Sequence, residues 1–265
     1  GYSTFVGYQA GQGITGAKLT GNNNTAVGKD AGLLLQGAAT NNTLIGATSG
    51  DSITTGTANT ALGGSALTGV NTGINNVGLG EGAGYNITSG NSNIIIGKDI
   101  TAASATADSQ LNIGGWIVGA TGQITMPLQP AFQVNPASVQ ENIAVGSDVT
   151  VVFGTEIFDV GANFASNTFT APVTGKYQLN LVLYFNSLDT ASDYYVINIV
   201  TSNRSYSTAI DPGAFSTDPV YWFNTYSVLV DMDASDTASV TVNQASGTAQ
   251  TDIATGSKFS GYLVA

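Results

Sequence analysis

The side chains able to hold a proton, a metal or an electron pair form a short set in this chain. There is no histidine and no cysteine, so an imidazole base, a thiol nucleophile and the usual zinc ligands are all missing. Seventeen acidic residues remain beside six basic ones. Asp211 and Asp218 are the one carboxylate pair near aromatic residues, Tyr221 and Trp222, and paired carboxylates are what hydrolysis of a glycosidic bond requires. Their Pro- and Gly-rich setting reads as a loop, and the serines and threonines have no base to activate them. No catalytic residue is assigned, and the chain is not expected to be an enzyme. Asp231, Asp233 and Asp236 in DMDASD look superficially like an oxygen-ligand loop for calcium, which is the only cofactor the sequence leaves room for. The segment lacks the glycine and distal glutamate of a helix-loop-helix calcium site and reads as a solvated turn. Arg204, Tyr206, Asp211, Tyr221 and Trp222 combine ring faces with hydrogen-bonding groups, a mixture suited to stacking on and bonding to a sugar.

The elements that carry these residues fall into two kinds. From Gly7 onward a glycine closes a short apolar segment at Gly7, Gly28, Gly46, Gly63, Gly80, Gly97 and Gly114, a period near seventeen residues that suits one coil of a β-solenoid. The preceding residue is always aliphatic (Val6, Val27, Ile45, Leu62, Leu79, Ile96, Ile113), the third after it is mostly small, and the seventh is again aliphatic from Ile14 to Ile87. Each coil is therefore expected to offer two inward anchors, at the positions before and seven after the glycine, and one tight corner. Asparagines such as Asn41, Asn59 and Asn76 are expected at the chain reversals, because they tolerate positive φ. GEGAG, within the repeat, has no following Lys-Ser/Thr pair and is not a phosphate loop. Because Gly1 falls inside a repeat, the sequence reads as a piece of a longer chain.

Past Ile100 the pattern weakens into TAASATADSQ, read as a short helix or a looped-out insertion. One more coil follows, then Trp116 and Ile117, which are expected to be buried as a cap on the apolar stack. Pro127 and Pro130 mark the boundary. The expected organisation is a repeat rod over residues 1–120, a cap and linker over 121–130, and a third region over 131–265 whose longer alternating strands indicate an antiparallel sandwich or jelly roll. The fold class is all-β, a β-solenoid rod followed by a jelly-roll head.

Charge separates the two regions. Five acidic and three basic residues precede residue 131, and twelve and three follow, so the head holds nine of the eleven net negative charges. This opposes binding of phosphate backbones, and nucleic acid is not an expected partner. No apolar run is long enough for a membrane helix, so membrane insertion is not expected.

NTAVGKDAG, NTLIGATSG and NTALGGSAL resemble the head repeats of trimeric autotransporter adhesins and, more closely, the Asn-Thr-aliphatic-Gly repeats of bacteriophage tail fibres. FQVN, FDVGANFASNTFTAPVTGKYQLNL and KFSGYLV resemble, in that order, the globular head of complement component one, subcomponent q, in the tumour necrosis factor-like superfamily. That resemblance implies burial of Phe164, Phe169, Tyr177 and Phe259, a turn at Pro172 and Gly175, an acidic turn at DMDASD, and a last strand beside the first near Phe132. Both resemblances imply a homotrimer. The rod resemblance leaves open whether each coil forms within one chain or is interwoven among three.

Together they imply a homotrimeric tail-fibre-type adhesin on a virion that binds a host cell-surface glycan or protein receptor through its head. A bacterial cell-surface trimeric adhesin is the alternative, and a purely structural spacer the third reading. If strands alternate back from a terminus at the base, residues 203–219 and 245–256 fall at the far end. Arg204, Tyr206, Asp211, Tyr221 and Trp222 are then the receptor-contact candidates, the competing reading being that these aromatics fill the trimer axis.

Overall fold

The computed structural model describes residues 2–120 and 122–265. Gly1 and Thr121, the expected start of the linker, lie outside the described residues. The chain divides into two units, one ending at Pro127 and one beginning at Leu128.

In the first unit, seven three-residue strands stack in parallel register: β1 (Thr4–Val6), β2 (Thr25–Val27), β3 (Thr43–Ile45), β4 (Thr60–Leu62), β5 (Val77–Leu79), β6 (Ile94–Ile96) and β7 (Leu111–Ile113). Each pairs residue for residue with the next, as Thr43, Leu44 and Ile45 do with Thr60, Ala61 and Leu62. Every strand is one coil further along the same chain, so the solenoid is built within one chain and is not interwoven. At ~4.8 Å per strand, the seven span on the order of 30 Å.

The inward strand position is not the residue before the glycine but the one before that. Ala26, Leu44, Ala61 and Ile95 are fully buried, whereas Val6, Ile45 and Leu62 are 55%, 39% and 49% exposed. Three-residue strands alternate faces, so the aliphatic preceding each glycine stands outward beside the residue that opens the strand. The seventh residue after the glycine is inward from the second coil on, as Leu35, Ile53, Val70 and Ile87 show, while Ile14 is exposed. The small row also lies inside, at Ala31, Ser49, Ala66 and Ala83. Core volume is balanced between neighbouring coils. Ala61 and Gly78 leave room in the strand row, and Leu67 fills it at a position where other coils have Gly32, Gly50 or Gly84; a Cβ on Gly78 would meet Leu67 Cγ at 2.8 Å.

The asparagines do two jobs that their composition alone does not separate. The first of each pair, Asn23, Asn41 and Asn75, has φ near +60°. The second is buried and joins a ladder. Asn42, Asn59, Asn76 and Asn93 each donate through Nδ2 to the Oδ1 of the previous coil's asparagine, at 3.0–3.1 Å. Asn59 Nδ2 also donates to the Gly73 carbonyl at 2.9 Å. Gln110 ends the row: its Nε2 reaches Asn93 Oδ1 at 3.1 Å and its Oε1 accepts from Ser104 N at 2.8 Å. TAASATADSQ is thereby neither a helix nor a looped-out insertion. It is the sixth coil, with Ala105 O accepting from Thr88 N at 2.8 Å.

The stack is closed by a hairpin rather than by a buried tryptophan. β8 (Ile117–Ala120) runs antiparallel to β7, and β9 (Gln123–Thr125) runs antiparallel to β8. Ile117 is half-buried, but Trp116 sits in the preceding turn and is 70% exposed. Strand pairing thus covers the open edge of the sheet.

The second unit is an antiparallel sandwich. Its strands are β10 (Ala131–Asn135), β11 (Asp148–Thr150), β12 (Thr155–Val160), β13 (Phe164–Ala165), β14 (Thr168–Thr170), β15 (Gly175–Asn186), β16 (Tyr195–Thr201), β17 (Ser205–Ile210), β18 (Tyr221–Met232), β19 (Thr237–Gln244), β20 (Asp252–Ile253) and β21 (Lys258–Leu263). One sheet has the order β12-β10-β21-β15-β18 with β20 on β15; the other has β13-β14-β19-β16-β17 with β11 on β19. The chain crosses repeatedly between the two sheets, staying in one sheet only at β13–β14, β16–β17 and β20–β21, which gives the jelly roll. Inward residues of both meet in one core, where Phe132, Phe164, Phe169 and Phe259 lie ring to ring and Tyr177 is fully buried. The last strand pairs with the first, Phe132 opposite Gly261.

Candidate functional site

Strand direction gives the sandwich two ends. β10 begins and β21 ends at the base, where Gly175 opens β15 and Lys176 N donates to Ala265 O at 2.7 Å. β15 therefore climbs to the far end, β16 descends, β17 climbs, β18 descends and β19 climbs again. The turn between β16 and β17 is consequently at the base, and only the later part of residues 203–219 is at the far end.

Arg204 lies in that basal turn, where its carbonyl accepts from Thr201 N at 2.9 Å. The turn packs on the DMDASD turn: Ser202 Oγ donates to Asp236 Oδ1 at 2.7 Å and Asn203 Nδ2 to Asp236 Oδ2 at 2.6 Å. Asp236 also accepts from Asp233 N at 2.8 Å, within its own turn. These bonds, the backbone amide first, hold the Asp236 carboxyl below its usual range. Asp231 instead pairs with Lys176 at 2.5 Å. The three aspartates are thus divided among protein donors, and among the described residues no three acidic side chains gather as a metal site.

Tyr206 is half-buried on β17 and points into the sandwich beside Ile199. Asp211 caps the short 3-10 turn Pro212–Ala214, accepting from Gly213 N at 2.9 Å. Tyr221 is exposed on β18. Trp222, its neighbour, faces inward with its ring 4.7 Å from Phe215. The five candidates therefore do not form one patch: Arg204 is basal, Tyr206 and Trp222 point inward, and Asp211 and Tyr221 belong to the far end.

That end is made of four loops, residues 136–147, 187–194, 211–220 and 245–256, tied by three carboxylates; Asp252 accepts from Asn142 N at 2.8 Å. Asp218 accepts from Thr190 N at 2.9 Å, Thr190 Oγ1 at 2.5 Å and Gln250 Nε2 at 2.8 Å, and the Thr190 hydroxyl above all holds its carboxyl below the usual range. Asp189 is buried and accepts from Ala191 N at 2.8 Å and Thr248 N at 2.5 Å. Beneath it Tyr195 shares a 2.7 Å hydrogen bond with Thr251, and burial pushes its phenol upward. Asp211 and Asp218 are occupied in turn-making and loop-tying rather than in facing a common reacting atom.

Two surfaces that the sequence reasoning did not single out complete the inventory. One is the outward face of β1 to β7. Its aliphatic row is joined in the later coils by a second row, Val77, Ile94 and Leu111, in place of Thr25, Thr43 and Thr60. The other is the outward face of β15 and β18, which carries no charge between the Lys176–Asp231 pair and Tyr221. There the rings of Tyr184 and Phe223 lie 5.7 Å apart, Gln178 Nε2 donates to Ser227 Oγ at 2.8 Å and Leu229 is exposed. A shallow depression of about 210 Å³ lies between Asn180, Val182, Thr225 and Ser227. The signal for both faces is in the sequence, as the uncharged residues at the outward phase of each strand.

No protein-family model and no curated protein matches the chain. Among solved structures it is similar to the globular domain of zebrafish complement 1qA protein, at 16% identity and a TM-score of 0.38 over 52% of this chain and 98% of that one. It is also similar to murine APRIL, at 12% identity and a TM-score of 0.39 over 51% of this chain and 99% of that one. Both TM-scores are low, and the jelly-roll assignment stands on the strand order.

Proposed function

We propose that this chain is the rod-and-head portion of a homotrimeric fibrous adhesin of tail-fibre type, with the solenoid as a stiff spacer and the head as the part that binds a host cell-surface receptor. The observation that carries the proposal is the outward aliphatic row of the solenoid. From the second coil on, the coils share a buried core without the aliphatic before the glycine, so Ile45 and Leu62 are not needed inside and remain substantially exposed. Aliphatic side chains repeated in register on a narrow sheet face serve to bury that face against another copy. The uncharged outward face of β15 and β18, with Tyr184, Phe223 and Leu229, supports the same association in the head.

The receptor, glycan or protein, is assigned to the far-end loops, where Tyr221 and Tyr194 are exposed and three carboxylates fix the backbone. Three copies present three such ends, and avidity converts weak contacts into firm attachment. The proposal includes no catalysis, and it places the protein on a virion.

The absence of native cysteine permits a direct test. Leu62→Cys should give disulfide-linked pairs of chains under mild oxidation, since a row that lines the threefold axis brings equivalent positions together, whereas Ser52→Cys on another side of the coil should not. Equal linkage at both positions, or at neither, contradicts the assigned face.

A further inference from the structure

The edge strands β17 and β18 lie on the same side of the head. Phe185 on β15 and Tyr195 on β16 have ring centroids 6.0 Å apart, so these strands face one another. The next strand outward in each sheet, β18 and β17, therefore also face one another. Register decides which side chains point between them. Trp222, Asn224 and Tyr226 pair with the core residues Phe185, Leu183 and Leu181, and Tyr206 and Thr208 pair with Ile199 and Ile197. All five are half-buried. A polar level, Asn224 and Thr208, thus lies between an aromatic level of Tyr206 and Tyr226 and another of Trp222.

Two polar atoms on this side have no partner. Trp222 Nε1 and Asn224 Oδ1 are shielded from solvent and make no hydrogen bond, a costly condition for a donor and an acceptor. They stand two residues apart on one strand, about 7 Å along it, so one ligand satisfies both if it presents an acceptor and a donor at that separation, as the hydroxyls of a sugar do. Over Trp222 lies Phe215, edge to face at 66°. It belongs to a loop pinned by Asp211 at one end and Asp218 at the other, with Gly213, Ala214, Ser216 and Thr217 exposed between them.

We infer that this side of the head is a crevice for a neutral saccharide ring, entered when Phe215 swings off Trp222. The inference rests on the receptor-binding reading and gives it a ligand class and a place. A sugar presents an apolar CH face to an indole and hydroxyls at its rim. Trp222 Nε1 donates to one hydroxyl, and Asn224 Oδ1 accepts from another. None of the inward residues named is charged, so neither a phosphate nor an amine has a counter-charge here.

Trp116→Phe in the full chain leaves Trp222 as the sole indole, because the sequence has two tryptophans. Its emission is followed during titration with neutral mono- and oligosaccharides, with glycerol and a sugar phosphate as controls. At least one neutral sugar should give a saturable change that glycerol does not reproduce, and Asn224→Leu should weaken it about tenfold, the equivalent of ~1.4 kcal/mol, at unchanged mass by light scattering. Phe215→Ala should speed association. No response to any neutral sugar, an equal response to glycerol, or undiminished affinity in Asn224→Leu overturns the crevice. Dissociation of the assembly by Asn224→Leu also overturns it, and assigns this side to contact between copies. Cell attachment separates the two readings: if the wild-type chain attaches and Asn224→Leu attaches equally well, only the crevice fails; if the wild-type chain does not attach, the receptor reading fails.

Discussion

Asn59 shows how much one side chain carries in the solenoid. Its Nδ2 serves Asn42 Oδ1 and the Gly73 carbonyl, and its Oδ1 accepts from Asn76 N and Asn76 Nδ2 at 3.0 and 3.1 Å. Leucine fits the space but leaves these buried groups unpaired, so Asn59→Leu should cost about 3 kcal/mol, read from denaturant unfolding. Asn75→Gly, at φ +59°, should be close to neutral, because that asparagine is there for its backbone. Equal effects at the two positions contradict the division of labour. The paired asparagines were visible in the sequence as turn formers. Which of each pair turns and which is buried was not, because the difference lies in side-chain bonds between residues a full coil apart.

A second residue-level expectation concerns pH. Asp218 and Asp236 both titrate below the ordinary value of 3.8. Their bonds are therefore fully present above that value and are lost as pH falls through the lower folded value. The amide shifts of Thr190 and Asp233 should stay constant from about pH 8 to about pH 5 and move only in acid. Movement near neutrality would show that other groups control these turns.

At the scale of the element, the corner glycine and the outward row are separable. A Cβ on Gly63, at φ +140°, runs into the Gly80 carbonyl of the next coil, whereas one on Gly64 meets nothing nearer than Ala47 O at 3.8 Å. Gly63→Ala should destabilise the rod by about 3 kcal/mol or more and Gly64→Ala by less than about 0.5 kcal/mol, measured by thermal unfolding. The period, the glycine corner and the parallel stack were legible because they recur at fixed phase. The direction of the aliphatic before the glycine was misread, because a three-residue strand has only one inward position and two apolar neighbours compete for it. Leu44 and Ile95 win it although Ile45 and Ile96 are as apolar. In the head, the buried Phe164, Phe169, Tyr177 and Phe259 and the turn at Pro172 and Gly175 follow the sequence reading. Arg204 does not reach the far end, because the number of strand reversals between residue 186 and residue 204 sets the end at which it emerges.

For the whole molecule, the proposed association would cover both surfaces that a single chain leaves exposed. The aliphatic rows of the solenoid and the neutral face of β15 and β18 lie where this strongly acidic protein carries little charge. Self-repulsion among copies is least there. The most direct test is the mass of the intact chain in solution by multi-angle light scattering, beside a variant with Leu62→Asp and Ile96→Asp. The wild type is expected at three times the mass of one chain and the variant at lower mass with its solenoid circular dichroism retained. A wild-type mass equal to one chain, at concentrations well above those of a host-binding assay, contradicts the trimeric adhesin outright.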